Sequence, residues 1–420
     1  MSLHAPLTVT NGKLVLPDGT IAPGGLRAEG GFITAIGSDV AAQPGDTVYD
    51  AQGLLIAPGL VDVGVFEIDK PAFHFGGITR AALMPDQSTP LDIPSRVRFA
   101  AQSGKPDFWV HPLGGATRGL AGESLAEIAL MREAGARAVA TGRRWIGDSG
   151  TMLRLLQYSA MLGLPVIAHA EDAGIAGKAV ATAGEMATRL GLPAAPAEAE
   201  SLAISRDLAL ADLAGAAIHF RNVTTRGGLD LIRAAKQRGL KVTAGVSPAY
   251  FMLSDLALAH FRTFAHLSPP LRSEEDRKAV LQAVGDGTID MISSSHDPRG
   301  PEDKRLPFAD SAPGMAGAET LLPLTMNLVR DGVISLSRAF ELLATNPARL
   351  LGVNAGRLEV GAEADVAVVD ADRPWIVDSD KMAASAGNTP FDRQPMQGRV
   401  LALFKGGITI KSRKFTATQA

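Results

Sequence analysis

The sequence predicts an α/β protein: a closed (β/α)8 TIM-like barrel with a small β-sandwich formed by both termini. Three observations predict it. Residues 7–56 and 364–411 share a texture of short β-type runs broken by turns. Between them, short β-branched runs alternate with helix-like stretches over roughly 300 residues, the pattern of a parallel α/β fold. The chain has 420 residues, enough for one barrel of ~250 residues and a smaller companion.

Taken in order, Leu7-Thr8-Val9 and Lys13 to Leu16 are strand-like and end at the turn Pro17-Asp18-Gly19. Phe32 to Ile36 follows a Gly-Gly pair. In the middle, Leu164 to Ala168, Ala216 to His219, Lys241 to Ala244 and Met291-Ile292 read as buried strands. Ser124 to Ala134, Met152 to Leu162 and Leu229 to Arg238 place apolar residues three and four apart and read as helices. Leu192 to Glu200 reads as a loop entering a helix. Near the end, Asp365 to Val369 is an apolar strand, and Val400 to Phe404 and Ile408 to Ile410 flank Lys405-Gly406-Gly407, a hairpin signal. The expected division is 1–56 with 361–420 as the composite sandwich and 57–360 as the barrel.

Composition narrows the function classes. With 41 basic and 44 acidic residues the net charge is -3, which gives no electrostatic case for nucleic acid or an acidic membrane. There are no cysteines, so disulfides, thiolate metal sites and cysteine nucleophiles are excluded. Any metal would need His, Asp, Glu or a modified Lys. No signal peptide or membrane span of ~18 apolar residues is visible, and a cytoplasmic protein is expected.

Seven segments, in order, resemble dihydroorotase of the cyclic amidohydrolase superfamily of metal-dependent hydrolases. They are Ala57-Pro58-Gly59-Leu60-Val61-Asp62, Ala82-Leu83-Met84-Pro85-Asp86, Pro165 to Asp172, Pro269 to Asp276, Pro313 to Thr320, Asn346 to Gly352 and Asn388-Thr389-Pro390-Phe391. The resemblance spans nearly the whole chain and implies an amidohydrolase barrel. It also implies one or two divalent metals, usually zinc, that polarise a ring amide and activate water, with ligands at the C-terminal ends of several strands.

Compared position by position, most of those ligands are missing. On the first strand Gly64 and Phe66 stand where the resemblance implies two His, and Ile68 where it implies Arg. Glu67 is a possible donor, but alternation along a strand turns it away from Phe66. Gly142 stands at the fourth-strand ligand position. His169, on the fifth, is the only retained ligand. Asn222 replaces a sixth-strand His, and Ser295 replaces the Asp that would bind metal and accept the proton of water. Asp86 and Arg299 occupy substrate positions where Asn and His are implied. Disturbing only an outer partner of a metal ligand costs ~10–100-fold in affinity. Loss of the general base alone removes roughly 10²–10⁴-fold in rate. No catalytic residue is assigned with assurance, and no cofactor is expected unless the chain is active, in which case zinc is.

His169 reads either as a hydrogen-bonded remnant or as a surviving contact to metal or ligand. His296-Asp297 resembles a catalytic pair, yet neighbours on a strand face opposite ways. His74, His111, His260 and His266 take surface or structural roles by default. Arg143, Arg221 and Arg299 lie near expected strand ends, where guanidinium groups could replace metal charge and hold an anion; the plainer reading is that they are solvated or ion-paired. Two functions follow. The first is an inactive dihydroorotase homologue of pyrimidine biosynthesis, a pseudoenzyme serving as structural partner of aspartate carbamoyltransferase, with homo-oligomers expected. The alternative is an active dihydroorotase or related cyclic amidase with an atypical site drawn from His169, Glu67 and Asp86.

Overall fold

The computed structural model describes residues 5–410. Residues 1–4 and 411–420, assigned above to the sandwich, lie outside the described residues. Strand Leu7–Val15 pairs antiparallel with Ile21–Glu29 and parallel with Thr47–Asp50 and Leu55–Pro58. From the far end of the chain, Val366–Ile376 pairs antiparallel with both Leu55–Pro58 and Pro395–Lys405. The two chain ends thus share one eight-stranded sheet. Its Gly406-Gly407 link, with φ of +56° and +75°, is a two-residue hairpin turn.

Residues on this sheet alternate between two cores. Ile56, Val366 and Val368 pack with Leu7, Val9, Leu26 and Phe404 inside the sandwich. Leu55, Ala57, Ala367 and Val369 face the barrel instead. A strand buried on both faces needs apolar residues throughout, which is why Val366 to Val369 has no polar member.

Eight short parallel strands form the barrel: β1 (Leu60–Val65), β2 (Ile78–Leu83), β3 (Trp109–Pro112), β4 (Val139–Ala140), β5 (Val166–Ala168), β6 (Ile218–Phe220), β7 (Val242–Val246) and β8 (Met291–Ile292). Gly114–Gly115, continuing β3, pairs with β4. The ring closes where Phe66 N donates to His296 O at 2.9 Å and Ser294 N donates to the Asp62 carboxylate at 2.9 Å. Val61, Val63, Ala82, Ala140, Ile167 and Met291 fill the interior, which is a packed core and not a pore. Ala348 and Leu351 join that core from the end where Asn346 Nδ2 donates to Asp290 O, just before β8.

Helices Ser149–Leu162, Glu198–Ala214, Arg226–Gln237 and Glu274–Gly285 lead into β5, β6, β7 and β8. Asp148, Thr225 and Ser273 cap three of them by accepting from backbone N–H groups. Two local expectations change. The segment from Ser124 is helical only over Ile128–Glu133, because Arg118 N and Ala126 N draw the preceding residues into backbone pairing with Ala116 to Ser124. Within the expected loop at 192–200, Ala194–Ala195 pairs in parallel with Ala181–Thr182 before the helix begins at Glu198.

A buried ion cluster joins barrel to sandwich. Arg80 of β2 pairs with Asp365 at 2.6 Å and with Glu363, and Lys405 reaches Asp365 at 3.0 Å. Both cations also lie over the Trp109 ring, 5.1 and 4.4 Å from its centre.

Candidate functional site

The C-terminal ends of the barrel strands bring most of the sequence-indicated positions together. Gly64, next to last in β1, has φ of +93°, and Phe66, 7% exposed, follows the strand. Its ring carries the Arg143 guanidinium at 3.6 Å and that of Arg221 at 5.0 Å. Met84 N donates to Val65 O, which sets Asp86 beside Gly142 beyond β4. Asp86 Oδ1 accepts from Arg143 N at 2.9 Å. His169 follows β5, Arg221 and Asn222 follow β6, and Ser295 follows β8 with φ of +49°. Asn222 Nδ2 donates to Ser295 Oγ at 3.3 Å.

His169 is buried, its backbone N–H held by Thr141 Oγ1 and its Nε2 3.8 Å from Glu171. Burial first, then Arg221, Arg272 and Arg143, push its pKa down to about 3, so the imidazole is neutral at pH 7. Glu67 is exposed and accepts from Ser385 Oγ at 2.9 Å, away from the mouth, so it does not join His169 and Asp86. Ile68, at the implied Arg position, packs on the hydrophobic core.

At two positions where the resemblance implies metal ligands, neighbouring side chains crowd the place a side chain would take. A Cβ on Gly64 would meet Arg221 Cδ at 3.0 Å. At Gly142 (φ +81°) it would run into the Asp86 carboxylate. The residues present therefore do not fit a zinc pair. A neutral imidazole, an amide and a hydroxyl are too few donors for a dication, and a guanidinium stem lies among them. Among the described residues no group of three or more His, Asp or Glu could hold a metal.

Of the three arginines expected to frame the mouth, two are paired. Arg143 reaches Asp297 at 2.8 Å and Arg299 reaches the same carboxylate at 3.1 Å. Arg221, 3% exposed, has no hydrogen-bond partner at Nε. His296 and Asp297 part company, as alternation requires. The His296 ring packs edge-on against Phe73 and lies 3.5 Å from Asp69, while Asp297 faces the mouth. His74, His111 and His266 are buried, His260 is exposed, and none of the four lines the cavity at the mouth.

Several residues at the mouth were not indicated by sequence. Tyr250 Oη donates to Pro269 O at 2.7 Å beside Arg221. Arg272 pairs with Glu171 at 3.1 Å and Glu200 at 3.5 Å, and Glu200 also accepts from both the backbone and hydroxyls of Thr224 and Thr225. Arg272 sits in a family-like segment whose chemistry the motif did not reveal. Asn388, in another, accepts from Arg299 N at 2.9 Å and donates to Gly314 O at 3.0 Å. These segments hold the loops of the mouth together by hydrogen bonds that need no metal.

Comparison with known proteins agrees with this architecture. The amidohydrolase family matches residues 115–409. A dihydroorotase of Syntrophotalea carbinolica is 36% identical over 419 residues, 96% of this chain and 98% of that protein. One of Acetivibrio thermocellus is 36% identical over 405 residues, 92% of this chain and 95% of that protein. Among solved structures, an L-hydantoinase (dihydropyrimidinase) of Arthrobacter aurescens superposes with a TM-score of 0.86 at 26% identity, covering 98% of this chain and 97% of that one. Barrel, two-ended sandwich, ordered segments and full-length similarity together place the chain in the amidohydrolase family, as a dihydroorotase-like member.

Proposed function

We propose that the chain is a dihydroorotase homologue of the pyrimidine pathway that does not hydrolyse dihydroorotate and serves as a structural partner of aspartate carbamoyltransferase. One observation carries the first half of this reading: the Arg221 stem lies 3.0 Å from where a Gly64 Cβ would stand, and its guanidinium lines the mouth in place of metal ligands. Without the metal, and with Ser295 where a proton-accepting Asp is implied, neither the amide carbonyl nor the attacking water is activated. The partner rests on the resemblance to inactive relatives. It is supported by the retained loop-holding contacts of Asn388 and Arg272, which keep a folded mouth in the absence of chemistry. Self-association is part of the same proposal.

An active dihydroorotase or cyclic amidase built on His169, Glu67 and Asp86 fits less well, because Glu67 faces solvent beside Ser385. The test is metal analysis of the purified protein, a dihydroorotate hydrolysis assay, and co-purification with the transcarbamoylase of the same cell. Sub-stoichiometric metal, no turnover and a stable complex are expected. Stoichiometric zinc with turnover overturns the inactive reading. A chain that ignores the transcarbamoylase overturns the partner.

A further inference from the structure

The Arg221 guanidinium is the unpaired charge of the mouth. Only 3% of the residue is exposed, Nε has no hydrogen-bond partner, and none of the ion pairs among the described residues includes it. The two nearby carboxylates are engaged elsewhere, Asp86 by the Arg143 backbone and Asp297 by the Arg143 and Arg299 side chains. Burying an unpaired cation is costly, and proteins retain one where something answers it.

Something could. Arg221 lines a small cavity together with Phe66, Arg143, Tyr250, Ser295 and Asp297. Their charges sum to two guanidiniums against one carboxylate. The cavity's volume is about 20 Å³, room for one or two waters or one small ion. Ser295 Oγ already accepts from Asn222, so its hydroxyl proton is free to donate. The surplus of one positive charge in the lining calls for one negative charge.

We propose that this cavity binds one small monovalent anion, of carboxylate size, through the Arg221 guanidinium and the Ser295 hydroxyl. The site lies at the sixth strand, where the metal charge would otherwise stand, and the anion takes the place of a partner for Arg221 and not of a substrate. The inference rests on the metal-free reading of the mouth. It does not depend on the transcarbamoylase.

The experiment is thermal unfolding in chloride-free buffer with sodium formate, bicarbonate, nitrate or chloride, against sodium gluconate at equal ionic strength as an anion too large to enter. Wild type is expected to show a saturable rise in Tm with the small anions and none with gluconate. In Arg221→Met the apparent affinity falls roughly tenfold or more, while its Tm without anion rises, because an uncompensated buried charge is gone. Should that variant not fold, bromide soaked into wild-type crystals is expected to give an anomalous peak within hydrogen-bond distance of Arg221. An unsaturable response, an equal response in Arg221→Met, or no bromide at the mouth overturns the proposal. Zinc bound there sinks both this inference and the metal-free reading of the mouth. Absence of both zinc and an anion response sinks this one alone.

Discussion

The Asp86 carboxylate lies directly against Gly142: a Cβ added at Gly142 would stand 2.7 Å from Oδ1 and 2.9 Å from Oδ2. The fourth-strand ligand position is therefore closed by a charged neighbour as well as by its own left-handed backbone.

Restoring an acid there should fail on structural grounds. Gly142→Asp puts a side chain at φ +81° and a second carboxylate against Asp86. The expected loss is about 1–3 kcal/mol from the backbone alone, read by urea denaturation, with no gain of zinc. Adding Asp86→Ala should recover part of the stability. A stable, zinc-loaded Gly142→Asp protein would show that the mouth is more adaptable than described.

Metal dependence supplies a second expectation. If the mouth holds no metal, as proposed, dialysis against a chelator leaves the Tm unchanged. A fall of several degrees, restored by zinc, would contradict it.

Acid sensitivity follows from buried imidazoles. Burial, and then nearby cations, push His111 and His219 down to about 3, as for His169. A group whose folded pKa lies below its unfolded value of ~6.5 contributes full stability above that value and loses it as pH falls toward the folded pKa. Each such residue should remove roughly 2 kcal/mol between pH 7 and pH 5. His219→Gln should flatten the stability profile over that window, measured by denaturation at several pH values. An unchanged slope would show that His219 titrates normally.

The Arg80 cluster should be the strongest single tie between barrel and sandwich. Arg80→Met strands Asp365 and Glu363 with Lys405 as their remaining cation. Breaking a buried pair on one side costs about 3–5 kcal/mol, here read by guanidinium denaturation. A loss below 1 kcal/mol would mean that Lys405 and water replace Arg80.

The sequence disclosed the barrel because strand-helix alternation and buried β-branched runs follow from local physics, and Gly406-Gly407 marked its hairpin for the same reason. The sequence also shows Gly, Phe, Gly, Asn and Ser at positions 64, 66, 142, 222 and 295, where the resemblance implies metal ligands. What filled the gap was not legible. Arg221 comes against Gly64 only because β1 and β6 face each other across a closed ring, and Arg143 reaches Asp297 only through long-range packing. The extended course of Ser124 to Glu127 was hidden by an apolar spacing that suits a helix, which pairing with Ala116 overrode.

The double-faced strand Val366–Val369 also constrains how the protein comes into being. During synthesis, Leu55–Pro58 leaves the ribosome some 300 residues before the strand that will cover its edge. Until then that apolar edge is open to any passing chain. A holdase or early self-association should therefore matter most for nascent chains halted before residue 366, and release of the C-terminal strands should end that dependence.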